Sequence, residues 1–267
     1  MVSSRIHRKG SGLKVCYLGC SVTNGDELEN IQDLWAYQLD EYFDFDSQHM
    51  ASNGNSNANI FKQALDQRHQ DYDIIFLSWT RLFRVTPYPQ IETQSILVPD
   101  PVESFHDSTH GDFVFTKRMK QQVLDLFILT NNTYNLLKDV LDYSLALQDL
   151  DDRFVFFNTA VDQQFNTDIQ KPIPKNLSEL QPQTQELLDF NNNSDHRIIY
   201  LMEQLQNKYN KLDTSRWLNI FPSIVDRAYE SQDFAGEHPG TKTHKFIFEQ
   251  AKKYVHKNFK SYSEKRS

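Results

Sequence analysis

The chain has 267 residues, 39% of them hydrophobic and 24% charged, a balance typical of a globular protein with a sizeable core. Its formal net charge of −8 disfavours nucleic acid or an anionic membrane surface as the main partner. Residues 1–12 lack the apolar core of a signal peptide, and no run approaches the roughly 18 apolar residues that span a bilayer. We therefore expect a soluble protein with no nucleic-acid or membrane partner, and no signal points to a compartment other than the cytoplasm.

The two cysteines, Cys16 and Cys20, lie on the first extended run of the chain. Four residues apart on a strand, they are separated by ~13 Å, which is too far for a disulfide. No further soft ligand follows nearby, so we expect two buried thiols and predict no metal and no cofactor.

Strand and helix patterns alternate along the chain. Apolar and aromatic runs predict strands at 14–18, 73–79 and 154–160, with weaker candidates at 47–51 and 217–221. Amphipathic patterns predict helices at 34–43, 58–67, 116–150, 198–211 and 241–259. This alternation predicts an α/β fold, a three-layer α/β/α sandwich with a mostly parallel central sheet.

Two long stretches, 84–111 and 162–195, interrupt the alternation. They are rich in proline and polar residues and have no clear period, as is common in loops that form lids or surface excursions. Because no linker separates two complete cores, we predict a single domain over 13–258 with insertions at these two places. Residues 1–12 and 259–267 are expected to be flexible ends.

The most informative segment is 13–25, LKVCYLGCSVTNG, in which an apolar run ends at Gly19 and Ser21 follows on the turn. A serine just past a buried strand lies at the carboxyl edge of the sheet, where open α/β folds bind their ligands. Ser21 is therefore a candidate nucleophile. Two alternatives stay open: Ser21 or Thr23 caps the next helix, or the loop is a loose phosphate-binding turn of a nucleotide-binding protein.

A nucleophilic serine needs a base and an acid that orients the base. Of the nine histidines, His238 has the most suitable context, in the loop DFAGEHPG (233–240) between the last candidate strand and the last helix. Pro239 and Gly240 would fix the loop where that helix begins. Either Asp233 or Glu237 could orient the imidazole.

The third requirement is a set of donors for the developing oxyanion. The backbone N–H of Ser21 is one candidate, and Gly54 in the segment ASNGNS (51–56) is another. Thr80 and Arg81, directly after the strand predicted at 73–79, could supply a hydroxyl and a charge to a bound anion or sugar. Equally, Gly54 could belong to an ordinary turn and Arg81 to the surface.

Taken in order, these motifs resemble the SGNH/GDSL hydrolase family. Gly19-Cys20-Ser21, with Thr23 and Gly25, resembles the first block of the family, Gly54 the glycine of the second, and Asp233 with His238-Pro239 the last. The resemblance implies a flavodoxin-like fold and metal-free hydrolysis of esters, often acetyl esters on carbohydrates. It also implies that Ser21 is the nucleophile, with His238 as base and Asp233 as acid.

Two positions depart from the family pattern. The third block, Gly-x-Asn-Asp, is here Ser78-Trp79-Thr80-Arg81, so Thr80 or a water would replace the oxyanion asparagine. Ala235 stands three residues before the histidine, where the family has its acid, and Asp233 stands five before. We expect a serine esterase acting on a small-molecule or glycan ester. The alternative is a non-catalytic carbohydrate-binding or structural module that keeps the hydrolase fold.

Overall fold

The structure is a computed structural model that describes residues 7–8, 12–81, 84–85, 96–97, 133–159, 195–219 and 223–259. The strands of its main sheet are β1 (His7–Arg8), β2 (Lys14–Leu18), β3 (Asp46–His49), β4 (Ile74–Trp79), β7 (Phe154–Asn158) and β8 (Trp217–Asn219). Two short hairpins are formed by β5 (Arg84–Val85) with β6 (Ile96–Leu97), and by β9 (Phe234–Ala235) with β10 (His238–Pro239). The helices are α1 (Ser21–Asn24), α2 (Trp35–Phe43), α3 (Asn57–Gln67), α4 (Thr133–Leu150), α5 (Asp195–Tyr209), α6 (Ile224–Ser231) and α7 (Thr241–Asn258).

The main sheet has the strand order β1-β3-β2-β4-β7-β8. The five strands from β3 to β8 are parallel, whereas β1 pairs antiparallel with β3 at the edge. Counted along the chain, the parallel strands follow the order 2-1-3-4-5, which is that of flavodoxin-like folds. The predicted fold class is therefore confirmed.

The strands are buried on both faces, which divides the core into two clusters. On β4, Ile75 and Leu77 point to one face and pack with α3, α4 and α5. Ile74 and Phe76 point to the other face and pack with α2, α6 and α7. Since side chains alternate along a strand, a run of consecutive apolar residues is what a sheet covered on both sides requires.

Most predicted elements are present, with ends shifted by a few residues. The helix predicted at 116–150 is described from Thr133 onward, and 116–132 lie outside the described residues. The insertions at 84–111 and 162–195 also lie mostly outside, although β5 and β6 form an antiparallel pair within the first. At the predicted flexible N-terminal end, β1 pairs with the edge of β3, which otherwise offers unpaired backbone groups.

The strand order creates a crevice at the carboxyl ends of β2 and β4. The connection from β2 to β3 runs through α2 on one face of the sheet, and that from β3 to β4 runs through α3 on the other. Neighbouring loops therefore leave the sheet in opposite directions at this point, the usual place for a ligand in such folds. Ser21 follows β2 and Thr80 follows β4, so both lie at this crevice.

Candidate active site

Ser21 is the first residue of α1, directly after the turn that ends β2. The N-cap position belongs to Cys20, whose backbone is extended and whose side chain makes no capping hydrogen bond. Residue Ser21 is 5% exposed, and no hydrogen bond among the described residues uses its hydroxyl. Among the described residues, the Ser21 side chain therefore does not cap a helix.

Gly19 permits the close packing of this turn. A Cβ atom at Gly19 would overlap with Thr23 Oγ1 and lie 3.0 Å from Ser78 Cβ. Only a glycine therefore lets α1 fold back so tightly against the end of β4. The packing holds the first turn of α1 at the crevice.

His238 lies on β10, in the short hairpin that precedes α7. Its ring Nδ1 is 2.8 Å from Glu27 Oε2, and its backbone N–H donates to the same oxygen at 3.1 Å. The backbone N–H of Glu237 is a further donor to Glu27 Oε2, at 2.6 Å. Through these contacts and the neighbouring α1, which has Cα atoms within 8 Å of β10, the hairpin is joined to the segment that carries Ser21.

The Glu27 carboxylate has an electrostatic environment that favours its charged form. The hydrogen bond from the His238 ring is the main cause that lowers the pKa of Glu27, and the backbone donors at 237 and 238 act in the same direction. Glu27 itself has a positive φ of 64°, and Gly236 opposite it has a φ of 62°. A Cβ atom at Gly236 would lie 2.5 Å from Glu27 Oε2, so glycine is required for this approach.

Asp233 has partners that differ from those predicted. One carboxylate oxygen accepts the backbone N–H of Thr243 at 2.5 Å, and its carbonyl accepts the N–H of Gly240 at 2.8 Å. Asp233 thus stabilises the first turn of α7, where free N–H groups need acceptors. Among the described residues it makes no hydrogen bond to His238, because the β9–β10 hairpin carries the chain away before it returns to the helix. The expectation that Asp233 orients the imidazole is corrected accordingly.

Gly54 lies in a turn beside α1. Its φ is 70°, and the side chain of Asn24 in α1 donates to Asn53 Oδ1 at 2.8 Å. Asn55 donates from its side chain to the carbonyl of Gly19 at 3.1 Å, and the N–H of Ser52 donates to the same carbonyl at 3.2 Å. These bonds hold the turn that contains Gly54 against the end of β2.

Thr80 is buried at the end of β4, and Arg81 after it is exposed. Asn57 at the start of α3 accepts the N–H of Thr80 at 2.8 Å and donates to the Thr80 carbonyl at 3.1 Å. Asn57 thus fixes the backbone of this loop from both sides. Thr80 and Arg81 remain proposals as substrate-binding residues.

Neither a metal-binding cluster nor a membrane-spanning helix occurs in the described ranges. No group of three or more His, Cys, Asp or Glu side chains there could hold a metal ion. No described helix has the length and apolar character needed to cross a bilayer.

The sequence analysis predicted Ser21, Gly54 and His238 at one edge of the sheet, but it did not predict the contacts of two other side chains, Glu27 and Asn57. Glu27 contacts His238 from 211 positions away, and Asn57 holds Thr80. The only sequence signal for Glu27 is an acidic pair after Gly25, which no periodicity links to the C-terminal loop. Asn57 follows a serine that caps α3, a position that predicts a helix start but no contact with β4.

No protein-family model matches the sequence, and no curated protein matches it either. Among solved structures, a member of the lipolytic protein G-D-S-L family from Veillonella parvula is 11% identical, with a TM-score of 0.40 over 90% of this chain and 96% of that one. A psychrotrophic esterase from Pseudoalteromonas sp. is 9% identical, with a TM-score of 0.43 over 91% of this chain and 97% of that one.

A carbohydrate esterase family 2 enzyme plus carbohydrate-binding domain from Corynascus thermopiles is 11% identical, with a TM-score of 0.41 over 92% of this chain and 67% of that one.

Proposed function

We propose that the chain is a serine-dependent ester hydrolase with Ser21 as nucleophile and His238 as general base. The observation that supports this most directly is the adjacency of α1 and β10 at the carboxyl edge of the sheet. This adjacency supports a site in which a hydroxyl near the start of the chain meets an imidazole near its end.

The proposed reaction is acyl transfer in two steps. Ser21 Oγ forms a bond to the ester carbonyl carbon while His238 Nε2 accepts the hydroxyl proton. Collapse of the tetrahedral intermediate breaks the bond to the alcohol oxygen, which leaves with the proton from His238. Water then attacks the acyl-serine by the same proton transfers and releases the acid.

The oxyanion would be stabilised by backbone donors of the first two loops. The N–H of Ser21 is in the first turn of a helix and has no carbonyl acceptor within it, and Gly54 could present a second N–H. Thr80 occupies the position of the family's asparagine. Since the loss of one oxyanion donor typically costs on the order of 3 kcal/mol, we expect slower turnover than a complete oxyanion hole would give.

The proposed substrates are small acyl esters, in particular acetyl groups on carbohydrate. The support is compositional: the segments 84–111 and 162–195 contain tyrosine or phenylalanine together with many amide and hydroxyl side chains, which suit a sugar face. The proposed reaction requires no cofactor. Arg81, which is exposed beside Thr80, could meet a hydroxyl-rich or anionic part of the substrate.

The test is hydrolysis of p-nitrophenyl acetate by the wild type and by Ser21→Ala. We expect kcat to fall on the order of 10³-fold or more in the variant, because the covalent step is lost. Ser52→Ala, in the neighbouring loop, is the matched control and should keep wild-type turnover. A fluorophosphonate probe should label the wild type and Ser52→Ala but not Ser21→Ala.

Equal turnover by the wild type and Ser21→Ala would remove Ser21 from the mechanism. A wild type that neither hydrolyses the ester nor reacts with the probe would favour the non-catalytic module. In that case, titration with acetylated and deacetylated xylo-oligosaccharides would show whether the crevice binds glycans without turnover.

A further inference from the structure

Glu27 is the acceptor on which three donors of the C-terminal hairpin converge. The backbone N–H groups of Glu237 and His238 and the Nδ1 of the His238 ring all lie within 3.1 Å of one carboxylate oxygen, Oε2. Two consecutive backbone N–H groups that point at one oxygen form an anion-binding concavity. The imidazole of His238 lies beside these two N–H groups and contacts the same Glu27 oxygen.

Both chain segments take unusual backbone conformations to make this contact. Glu27 has a φ of 64°, in the left-handed region that side-chain-bearing residues seldom occupy, and Gly236 has a φ of 62°. Gly236 also leaves the space that a methyl group would take from the Glu27 carboxylate. Backbone strain such as that at Glu27 persists where the surroundings hold it, and it concentrates at functional sites, whereas a glycine adopts this conformation without strain.

The contact fixes which ring nitrogen carries the proton. The hydrogen bond from the His238 ring lowers the pKa of Glu27, so its carboxyl group is ionised at neutral pH and can only accept hydrogen bonds. The Nδ1 atom must therefore be the donor. In a neutral imidazole this leaves the lone pair on Nε2, at the opposite edge of the ring, as the site that can remove a proton.

The two carboxylates that the sequence suggested for this role, Asp233 and Glu237, make no hydrogen bond to the His238 ring among the described residues. Asp233 accepts the N–H of Thr243 in the first turn of α7. Glu237 is an exposed residue whose backbone N–H donates to Glu27. Among the described residues, Glu27 is the one carboxylate that contacts the His238 ring.

We propose that Glu27 is the positioning residue that orients His238 and holds it in the tautomer competent to act as the base toward Ser21. The inference rests on the proposed function and adds to it the residue that completes the triad, from the loop after α1 rather than from the loop that carries the histidine. Glu27 acts through His238 and does not touch the reacting atoms.

The expected size of the effect follows from exposure. The Glu27 side chain is 43% exposed and the His238 side chain 22% exposed, so solvent screens the pair more than it screens a buried triad acid. A buried aspartate in this role is worth about 10⁴-fold in kcat. For Glu27→Gln we expect a loss of about 10- to 100-fold in kcat with little change in KM.

The experiment compares Glu27→Gln and Glu27→Ala with Glu237→Gln and Asp233→Asn, using p-nitrophenyl acetate. The glutamine at position 27 can still accept the three donors on its amide oxygen, so it removes charge while keeping the link between the segments. It should lower kcat and leave the melting temperature nearly unchanged. Glu237→Gln should keep wild-type kcat. Asp233→Asn should lower the melting temperature and leave kcat nearly unchanged.

Two further measurements separate positioning from a merely structural link. Because Glu27 is partly exposed, formate should reach the space left in Glu27→Ala and restore part of its kcat, while Ser21→Ala should not respond. Nitrogen-15 NMR of His238 should show the Nδ1–H tautomer in the wild type and a mixture of tautomers in Glu27→Ala.

The outcomes distinguish this inference from the proposed function. If the wild type is active and Glu27→Gln keeps its kcat, or Asp233→Asn loses as much kcat as Glu27→Gln does, the assignment of Glu27 is overturned. If the wild type has no Ser21-dependent activity, the esterase proposal fails. In that case the NMR comparison decides the Glu27 assignment alone: an unchanged tautomer in Glu27→Ala overturns it, and a mixed one supports it.

Discussion

The buried histidine in the first turn of α7 makes the stability of the protein depend on pH. His244 is 1% exposed, its Nδ1 has no hydrogen-bond partner among the described residues, and Asp233 and His238 are the charged or titratable groups that act on it. Burial is the main cause that lowers the pKa of His244 from 6.5 to about 4. The folded protein therefore holds this ring neutral at a pH at which the unfolded chain would protonate it.

The sign and size follow from proton linkage. Between pH 6.5 and about 4 the unfolded state binds more protons at this residue than the folded state, so the free energy of unfolding decreases as the pH falls. Each pKa unit corresponds to roughly 1.4 kcal/mol, which gives a contribution of about 3 kcal/mol that is lost by about pH 4. Between about pH 7 and about pH 5 the loss should be about 2 kcal/mol.

The assay is urea denaturation of the wild type and His244→Phe at several values between about pH 7 and pH 4. Phenylalanine fills a similar volume and cannot titrate, so the variant should lose about 2 kcal/mol less than the wild type by about pH 5. Any change in packing that the substitution causes acts at every pH, so it shifts the curve of the variant without changing its slope. Parallel curves for the two proteins would refute the reasoning.

Three further variants test contacts described above. Gly236→Ala should reduce kcat about as much as Glu27→Gln, because the added Cβ would lie 2.5 Å from the Glu27 carboxylate; wild-type kcat in a folded variant would contradict this. Asp40→Ala should lower the free energy of unfolding by about 3 kcal/mol or more, measured in urea, because Asp40 accepts buried hydrogen bonds from Tyr17 and Ser47; a change below about 1 kcal/mol would contradict it. Asp233→Ala should lower the free energy of unfolding by about 1 kcal/mol in the same assay, because the N–H of Thr243 in the first turn of α7 loses its acceptor; unchanged stability would argue against that capping role.

The sequence predicted the sheet well because the strands that form it are buried on both faces. The run 74–79 is buried at every position and apolar at all but Ser78, a pattern that a sheet covered on both faces requires. The place of Ser21 and of the His238 loop at one sheet edge followed from topology, since carboxyl ends of parallel strands meet there. The short helix α6 was not predicted, although its capping box of Ser223 and Asp226 is a recognisable start signal.

The contact between Glu27 and His238 could not be predicted from the sequence, for a physical reason. Asp233 is close to His238 along the chain, but it stands just before the β9–β10 hairpin that contains the histidine. The Asp233 carboxylate accepts the N–H of Thr243 in the helix that follows. Glu27 is distant along the chain, and its approach depends on a left-handed backbone at Glu27 and at Gly236, which no local pattern specified. Neighbourhood in sequence was therefore a poor guide to neighbourhood in space at this point.

The bond between Glu27 and His238 joins two residues that are 211 positions apart in the sequence. During synthesis the amino-terminal half leaves the ribosome first, with its serine but without the imidazole. Under the proposed mechanism, a nascent or truncated chain would therefore lack hydrolytic activity until its last segment docks. Measured activity would then depend on a completely synthesised and folded chain.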